Sequence, residues 1–367
     1  MPDRDEAVRE LQPVLDAPDE RPREKLGLCL SGGGYRAMLF HLGALWRLNQ
    51  AKLLEGLNRV SSVSGGSITA ATLGLQWRSL EWRDGVAANL EDLVVNPVRA
   101  LADETIDVSS VIEGFAPFTS VGKRVAHAYR EHLFGRETLQ ALPDNDRAPR
   151  FVICATNLES GTLFRFSQPY AADYRVGRIS TPSIELADAV DHQRVDQRVL
   201  VREAPVGRPG ADAGVAGVYD NLGLETVWKR CETVLISDGG GQTPDDPNPP
   251  NDWPRQSLRV LYLIDNQVRS LRKRQAVGSF KLGLRRGTFW GIRSHVADYD
   301  LDDALDADRG LTCRLAKTPT RLKKLDAAHQ KRLINWGYII CDTAVRKWVK
   351  QELERPERLP YPSAGLG

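Results

Sequence analysis

The sequence predicts an α/β protein built on a mainly parallel sheet. Two glycine-rich turns near its start, at residues 31–34 and 64–66, each follow a short apolar run and precede a helical pattern. Strand, tight turn and helix thus occur twice in succession, which is the repeat that a parallel sheet requires. With 367 residues, 41% of them hydrophobic, the chain is long enough for one large domain with insertions or for two domains.

The first unit begins with Lys25 to Leu30, a continuous apolar run typical of a buried strand. After the three glycines, Arg36 to Gln50 places apolar residues at helical spacing. The second unit is predicted as a strand over Asn58 to Val63 and a helix over Ser67 to Trp77, which is rich in Ala, Leu and Thr.

Residues 80–148 mix amphipathic segments with turns, and we expect a helical insertion there. Arg150 to Ala155 is predicted as the next strand, with Gly161 to Phe166 as its hairpin partner. A further strand is predicted over Thr233 to Ser237, directly before Asp238.

The last third of the chain is predicted to be mainly helical. A proline-rich surface loop spans Thr243 to Pro250, and helical patterns follow over Leu258 to Arg274 and Thr320 to Gln351. We expect the residues after Pro356 to be frayed.

Composition excludes some functions and indicates a compartment. The 50 basic and 48 acidic residues leave a net charge of +2, so no overall field favours a nucleic-acid partner. The five cysteines are scattered without a CxxC spacing, which favours buried reduced thiols. The charged N-terminus lacks the apolar run of a signal peptide, and Leu26 to Leu48 is interrupted by three glycines and Arg36. We expect a cytoplasmic protein.

Ser64 is the candidate nucleophile. A serine on a strained turn between a strand and a helix exposes its hydroxyl, provided that small residues flank it. Gly65 and Gly66 meet this requirement, whereas Ser62 stands where the G-x-S-x-G pattern has its first glycine. Such a serine also needs a base within hydrogen-bonding reach and donors for the oxyanion.

The turn Gly32-Gly33-Gly34 is the candidate oxyanion hole. Without Cβ atoms its backbone can approach a substrate oxygen, and the helix that follows adds its N-terminal dipole. Arg36, in the first helical turn, would orient this loop or contact a phosphate; the alternative is a surface arginine.

The same turn also fits a dinucleotide-binding pattern. Gly32 to Ala37 matches G-x-G-x-x-G/A, which expects an acidic residue at the end of the next strand. Glu55 has the right distance along the chain but precedes that strand. A nucleoside-triphosphate loop is disfavoured because no Gly-Lys-Ser/Thr follows.

The motifs together resemble the bacterial patatin-like phospholipase family. They are Ser31-Gly-Gly-Gly-Tyr-Arg-Ala37, Val63-Ser-Gly-Gly-Ser67, Ala155-Thr-Asn-Leu-Glu-Ser-Gly161, Gly217-Val-Tyr-Asp-Asn-Leu-Gly-Leu-Glu225 and Ile334-Asn-Trp-Gly-Tyr338. The resemblance implies a three-layer α/β/α hydrolase with helical insertions, a lipid ester such as a membrane phospholipid as substrate, and no cofactor. It also implies a Ser-Asp dyad without histidine, so His41 is expected to be structural.

On this basis we expect three regions. Residues 1–24 would be a charged extension, residues 25–245 the patatin-like core, and residues 246–367 a proline-rich loop and mainly helical region packed on the core. Peripheral membrane contact is a further expectation. The basic residues between Arg269 and Arg274 would contact anionic lipid headgroups, or simply form a solvated helix face.

The sequence departs from the family at the catalytic aspartate. Where the family has Asp-Gly-Gly or Asp-Gly-Ala before Val-Tyr-Asp-Asn, this chain has Val215-Ala-Gly217. A valine cannot accept a proton, and losing acid–base assistance costs on the order of 10²–10⁴ in rate. Asp212, Asp220 and Asp238 are the candidate replacements, each of which could instead serve as a turn or cap residue.

Residues 191–216 differ from the family more broadly, and we attribute this to a local reading-frame slip or a diverged insertion. The slip predicts patatin-like residues in another frame of the coding DNA. Three functions therefore stay open: a lipid acyl hydrolase with a displaced aspartate, an inactive patatin-like protein that binds lipid or a partner, and, more distantly, a dinucleotide-binding protein.

Overall fold

An eight-stranded sheet lies at the centre of the computed structural model, which describes residues 24–106, 119–144, 148–158, 160–175, 177–191, 219–241, 246–249 and 251–367. Its strands are β1 (Glu24–Leu30), β2 (Arg59–Ser62), β5 (Arg150–Thr156), β6 (Leu163–Phe166), β7 (Tyr170–Asp173), β8 (Gly177–Ser180), β9 (Cys231–Asp238) and β10 (Arg286–Gly291). A separate small hairpin consists of β3 (Trp82–Arg83) and β4 (Val86–Ala87).

The strands lie in the order β10-β9-β1-β2-β5-β6-β7-β8. Neighbouring strands from β10 to β5 run parallel, and those from β5 to β8 run antiparallel. The carboxyl ends of β1, β2 and β9 therefore meet at one edge of the sheet, where ligands of parallel α/β proteins usually bind.

Helices cover both faces of the sheet. The described α-helices are α1 (Gly34–Gln50), α2 (Gly65–Gln76), α3 (Asn96–Leu101), α4 (Thr119–Tyr129), α5 (Leu186–Asp191), α6 (Leu224–Trp228), α7 (Trp253–Lys281), α8 (Arg309–Ala316) and α9 (Ala327–Trp348).

Alternation along the strands divides the core into two layers. Leu28 and Leu30 of β1 are buried in the cluster that includes α1, α2 and α9, whereas Cys29 is buried with α6 and α7 on the opposite face. Because successive strand side chains point to opposite faces, an all-apolar strand can fill both layers. This is the three-layer α/β/α arrangement predicted from the resemblance.

Two glycines and a buried ion pair join α1 to α9. A Cβ on Gly43 would lie 1.8 Å from the Ile334 carbonyl oxygen, and one on Gly337 would lie 1.9 Å from the Phe40 carbonyl oxygen, so only glycine permits this close approach. Arg47 donates to Asp342 over 2.7 Å, and both side chains are almost wholly buried.

Both strand–turn–helix units and the hairpin of β5 and β6 confirm the sequence predictions. The C-terminal third differs in three ways. β10 pairs with β9, so this region contributes a strand to the sheet itself. The last long helix begins at Ala327 and not at Thr320. The chain after Pro356 is packed and not frayed, with Leu366 only 9% exposed and Gly365 O accepting from Asn335.

Two smaller predictions have mixed outcomes. Four of the cysteines are buried and unpaired, but Cys313 is exposed. Within the described ranges, no helix combines the length and the apolar character needed to cross a membrane.

Candidate active site

Ser64 lies on a strained turn between β2 and α2. Its backbone has φ 50° and ψ −123°, a conformation that residues other than glycine rarely adopt. Such strain costs about 1–3 kcal/mol and persists only where the surrounding structure enforces it. The side chain is half-buried, while both neighbours, Val63 and Gly65, are buried. This is the geometry of a nucleophile elbow.

The two glycine turns pack against each other. A Cβ on Gly65 would lie 2.2 Å from the Gly34 carbonyl oxygen, and one on Gly66 would lie 2.4 Å from the Leu30 carbonyl oxygen. A Cβ on Gly32 would come within 3.1 Å of the Ser64 Cβ. The structure therefore brings both predicted turns into contact. This close approach is possible because the glycines at these positions have no side chains.

Three backbone N–H groups beside Ser64 are available to a substrate. Gly33 and Gly34 have φ of 147° and 60°, and in the part of the chain that the structure describes neither N–H donates to a protein acceptor. The same holds for the Gly65 N–H, at the start of α2. Gly32 differs from the prediction, since its N–H donates to the Asn221 carbonyl over 3.3 Å.

Arg36 holds the surroundings of the glycine turn in place. It is 2% exposed, so it is not a surface arginine. Its Nε donates to the Gly239 carbonyl over 3.0 Å, and its Nη atoms donate to Thr318 O and Thr320 Oγ1. Burial lowers the pKa of Arg36 to about 10, with Arg269 as a further cause, so the side chain stays charged at neutral pH. Arg36 therefore acts as a positioning residue.

His41 is buried behind the site and bonded to structural groups. Its ring nitrogens lie 2.8 Å from Ser237 Oγ and 2.9 Å from the Ser31 carbonyl oxygen. Burial lowers its pKa to about 4, so the imidazole is neutral at pH 7. Ser62, the other polar residue of the elbow motif, is also buried, with its hydroxyl 3.5 Å from the Val152 carbonyl oxygen.

Asp220 stabilises the turn before α6. Its Oδ1 accepts from the Leu222 N–H over 3.3 Å and its Oδ2 from the Glu225 N–H over 2.8 Å. Arg272 Nη1 lies 3.7 Å from the same carboxylate, which is 1% exposed. Among the described residues this carboxylate has no hydrogen bond to Ser64.

Asp238 is the last residue of β9 and supports the glycine turn. Its Oδ1 accepts from Ser31 Oγ over 3.0 Å and from the Gly240 N–H over 2.9 Å. It too makes no hydrogen bond to Ser64 within the described part of the chain. The third candidate, Asp212, and Val215 both lie outside the described residues.

Arg321 also contributes to the site, which the sequence reasoning missed. Its carbonyl accepts from the Tyr35 N–H over 3.0 Å, and a Cβ on Gly34 would lie 2.6 Å from that oxygen. The segment is predicted to be helical, but the helix begins only at Ala327, where the Asp326 side chain caps it by accepting from the His329 N–H.

A family model shows what the first half of this chain is similar to. Residues 28–190 match the model described as patatin-like phospholipase, a range that includes both glycine turns and Ser64. Residues 28–190 thus resemble the patatin-like phospholipase family. No curated protein sequence matches the chain.

One solved structure shows the same fold. Human GIVD cytosolic phospholipase A2 in complex with methyl gamma-linolenyl fluorophosphonate matches with a TM-score of 0.51 at 14% identity, covering 92% of this chain and 60% of that one. VipD from Legionella pneumophila matches with a TM-score of 0.32 at 14% identity, covering 88% and 66%. This chain thus spans less than two thirds of the length of these relatives.

Proposed function

We propose that this protein is a lipid acyl hydrolase in which Ser64 attacks the ester carbonyl. The observation that carries the proposal is the strained elbow of Ser64 packed on the glycine turn, which brings a half-buried serine side chain next to N–H groups that donate to no acceptor among the described residues. The resemblance of residues 28–190 to the patatin-like phospholipase family supports a serine hydrolase of lipid esters.

The N–H groups of Gly33, Gly34 and Gly65 would bind the tetrahedral oxyanion. Fixed donors aimed at developing charge are worth about 3–4 kcal/mol each when one is removed from a hydrolase. The positive N-terminal ends of α1 and α2 both lie at this position, which adds to the stabilisation of an anion.

An aspartate would take the proton of Ser64 and return it to the leaving alcohol. Among the described residues neither Asp220 nor Asp238 is hydrogen-bonded to Ser64, so either side chain would have to move to act as the base. Asp212 is the third candidate. Separate Asp→Asn substitutions would identify the base as the one whose loss lowers kcat by about 10²-fold or more.

Hydrolysis of a p-nitrophenyl ester tests the proposal. We expect turnover by the wild type and none by Ser64→Ala. Ser67→Ala is the matched control, because that serine lies in α2 three residues after Ser64, is fully buried and has a hydroxyl without a hydrogen-bond partner among the described residues. Equal turnover by Ser64→Ala and wild type would contradict the proposal.

A second candidate function is lipid binding without hydrolysis. It is favoured by Val215 at the position of the expected aspartate and by the bonding of Asp220 and Asp238 away from Ser64. It predicts no turnover by the wild type, together with retained binding of lipid vesicles. A peripheral position at a cytoplasmic membrane surface is part of both proposals.

A further inference from the structure

The first three turns of α7 expose an unbroken run of apolar side chains. Residues 260–264, Val-Leu-Tyr-Leu-Ile, are between 41% and 62% exposed, and Trp253 is 79% exposed. Successive helical residues are separated by about 100°, so five in a row surround the helix with apolar surface. Contiguous exposed apolar surface marks a site of protein or membrane interaction.

This part of α7 precedes the buried residues of the helix. Asp265 accepts from Asn221 Nδ2 over 3.0 Å, and the buried residues of the helix, such as Ala276 and Ser279, come later. From Trp253 to Asp265 the helix rises roughly 18 Å at about 1.5 Å per residue. Residues 253–264, which we call the projecting segment, therefore form the exposed first part of the helix.

The projecting segment lies at the same edge of the sheet as Ser64. β9 ends at the carboxyl edge, and α7 returns to the opposite edge, where the parallel strand β10 begins. The first residues of α7 must therefore lie at the carboxyl edge. Asn221 links the two places directly, since its carbonyl accepts from the Gly32 N–H and its side chain donates to Asp265.

The charge of α7 is strongly unbalanced. Asp265 is its one acidic residue, and the basic residues are Arg255, Arg259, Arg269, Arg272, Lys273, Arg274 and Lys281. Arg269 and Arg272 donate to the carbonyl groups of Gly241 and Tyr219, which removes them as free headgroup ligands. Arg255, Lys273 and Arg274 are exposed. Exposed cations beside apolar and aromatic side chains complement an anionic lipid surface.

We propose that the projecting segment inserts into the surface of an anionic phospholipid bilayer and so presents the edge that holds Ser64 to the membrane. The inference rests on the proposed function, because the bilayer is then the source of the lipid ester. Insertion buries the apolar side chains at the headgroup and acyl boundary, while the exposed basic residues remain among the headgroups.

Vesicle sedimentation tests this with the full chain. We expect wild-type protein to bind vesicles of phosphatidylcholine with phosphatidylserine, and to bind pure phosphatidylcholine vesicles about tenfold more weakly. The double variant Leu261→Asp/Ile264→Asp should lose about tenfold or more of the binding to anionic vesicles. Trp348→Asp is the matched control, because Trp348 is 57% exposed at the end of α9 in the other helical layer, and it should bind like wild type.

Two further measurements separate this proposal from the catalytic one. The double variant should hydrolyse a soluble p-nitrophenyl ester at the wild-type rate, and Ser64→Ala should still bind vesicles. If neither the wild type nor the variants hydrolysed the ester but the wild type still bound vesicles, the result would refute the proposed hydrolysis and leave membrane docking standing.

Unchanged vesicle binding by the double variant would overturn membrane docking. Absence of binding between the wild-type protein and anionic vesicles would also overturn it. A wild-type dimer that Leu261→Asp converts to monomer, without vesicle binding by either, would assign the surface to a second copy of the chain instead.

Discussion

Ser64 depends on its glycine neighbours for its conformation. Gly65→Ala would place a Cβ 2.2 Å from the Gly34 carbonyl oxygen, so the elbow and the glycine turn must separate. We expect loss of esterase activity and destabilisation of about 2 kcal/mol or more, measured by urea unfolding, since overpacking costs about 1–3 kcal/mol.

The control for this prediction is Gly278→Ala in α7. A Cβ there meets no atom within 4 Å. Because glycine costs about 1 kcal/mol relative to alanine inside a helix, the control should be neutral or slightly stabilised. Equal free energies of unfolding for Gly65→Ala and Gly278→Ala would contradict the close packing of the two glycine turns.

His41 makes stability depend on pH. Its pKa is about 4 in the folded protein, against 6.5 for an ordinary histidine, so between these values the unfolded chain binds a proton that the folded protein does not. The contribution of neutral His41 to the free energy of unfolding is fully present above pH 6.5. It is lost as the pH falls towards 4, by about 1.4 kcal/mol per pH unit.

The measurement compares the free energy of unfolding of wild type and His41→Gln between pH 7 and pH 4. Carboxylates titrate in the same window in both proteins, so only the difference is informative. The difference in free energy of unfolding between wild type and His41→Gln should narrow as the pH falls. Only the wild type has the imidazole, so only the wild type loses this contribution. Parallel curves would show that His41 is not buried in its neutral form.

At the level of elements, the contact between α1 and α9 supports the site from behind. Asp342→Ala would leave the buried Arg47 without its carboxylate partner, although Arg47 also donates to the Glu354 carbonyl over 2.8 Å. Breaking a buried ion pair from one side costs about 3–5 kcal/mol. We expect a loss of that size in chemical denaturation.

The double variant Arg47→Met/Asp342→Leu should recover much of this loss, because apolar side chains of similar volume often replace a buried pair without cost. A double variant as unstable as Asp342→Ala would contradict this interpretation. Esterase activity should follow folded protein in both cases, since neither residue contacts Ser64.

The elements that sequence could predict are those whose patterns are local. β1, β2 and their glycine turns are readable because each is a continuous apolar run followed by a turn and helical spacing. β10 was missed because Arg286 to Gly291 has a glycine near each end and few apolar residues, and it is a strand only through pairing with β9. Arg321 at the site depends on a tertiary contact that no local pattern encodes.

The predicted basic face of α7 illustrates the same limit. Its arginines were readable from the sequence, but their partners were not: Arg269 and Arg272 bind carbonyl groups of the protein itself. The exposed apolar run that precedes them is an ordinary helical core pattern in the sequence. Only the tertiary structure shows that residues 260–264 are between 41% and 62% exposed.

For the whole molecule, the parallel connections bring separate parts of the chain to one sheet edge. β1, β2 and β9 each end there, which brings Asp238 to the same edge as the glycine turn and Ser64, although both lie more than 170 residues earlier in the sequence. The two turns and their pairing were predictable. The aspartate that would act as the base stays a prediction. Asp220 and Asp238 are hydrogen-bonded to other groups, and Asp212 lies outside the described residues.

The central claim, that Ser64 is a nucleophile activated within the two turns, is tested most directly by covalent labelling. Wild-type protein would be incubated with a fluorophosphonate, and the modified peptide identified by mass spectrometry, with Ser64→Ala and Ser67→Ala in parallel. We expect one adduct per chain, located on Ser64, present in Ser67→Ala and absent from Ser64→Ala. An adduct on another serine, or an unlabelled wild type that still hydrolyses esters, would contradict the claim.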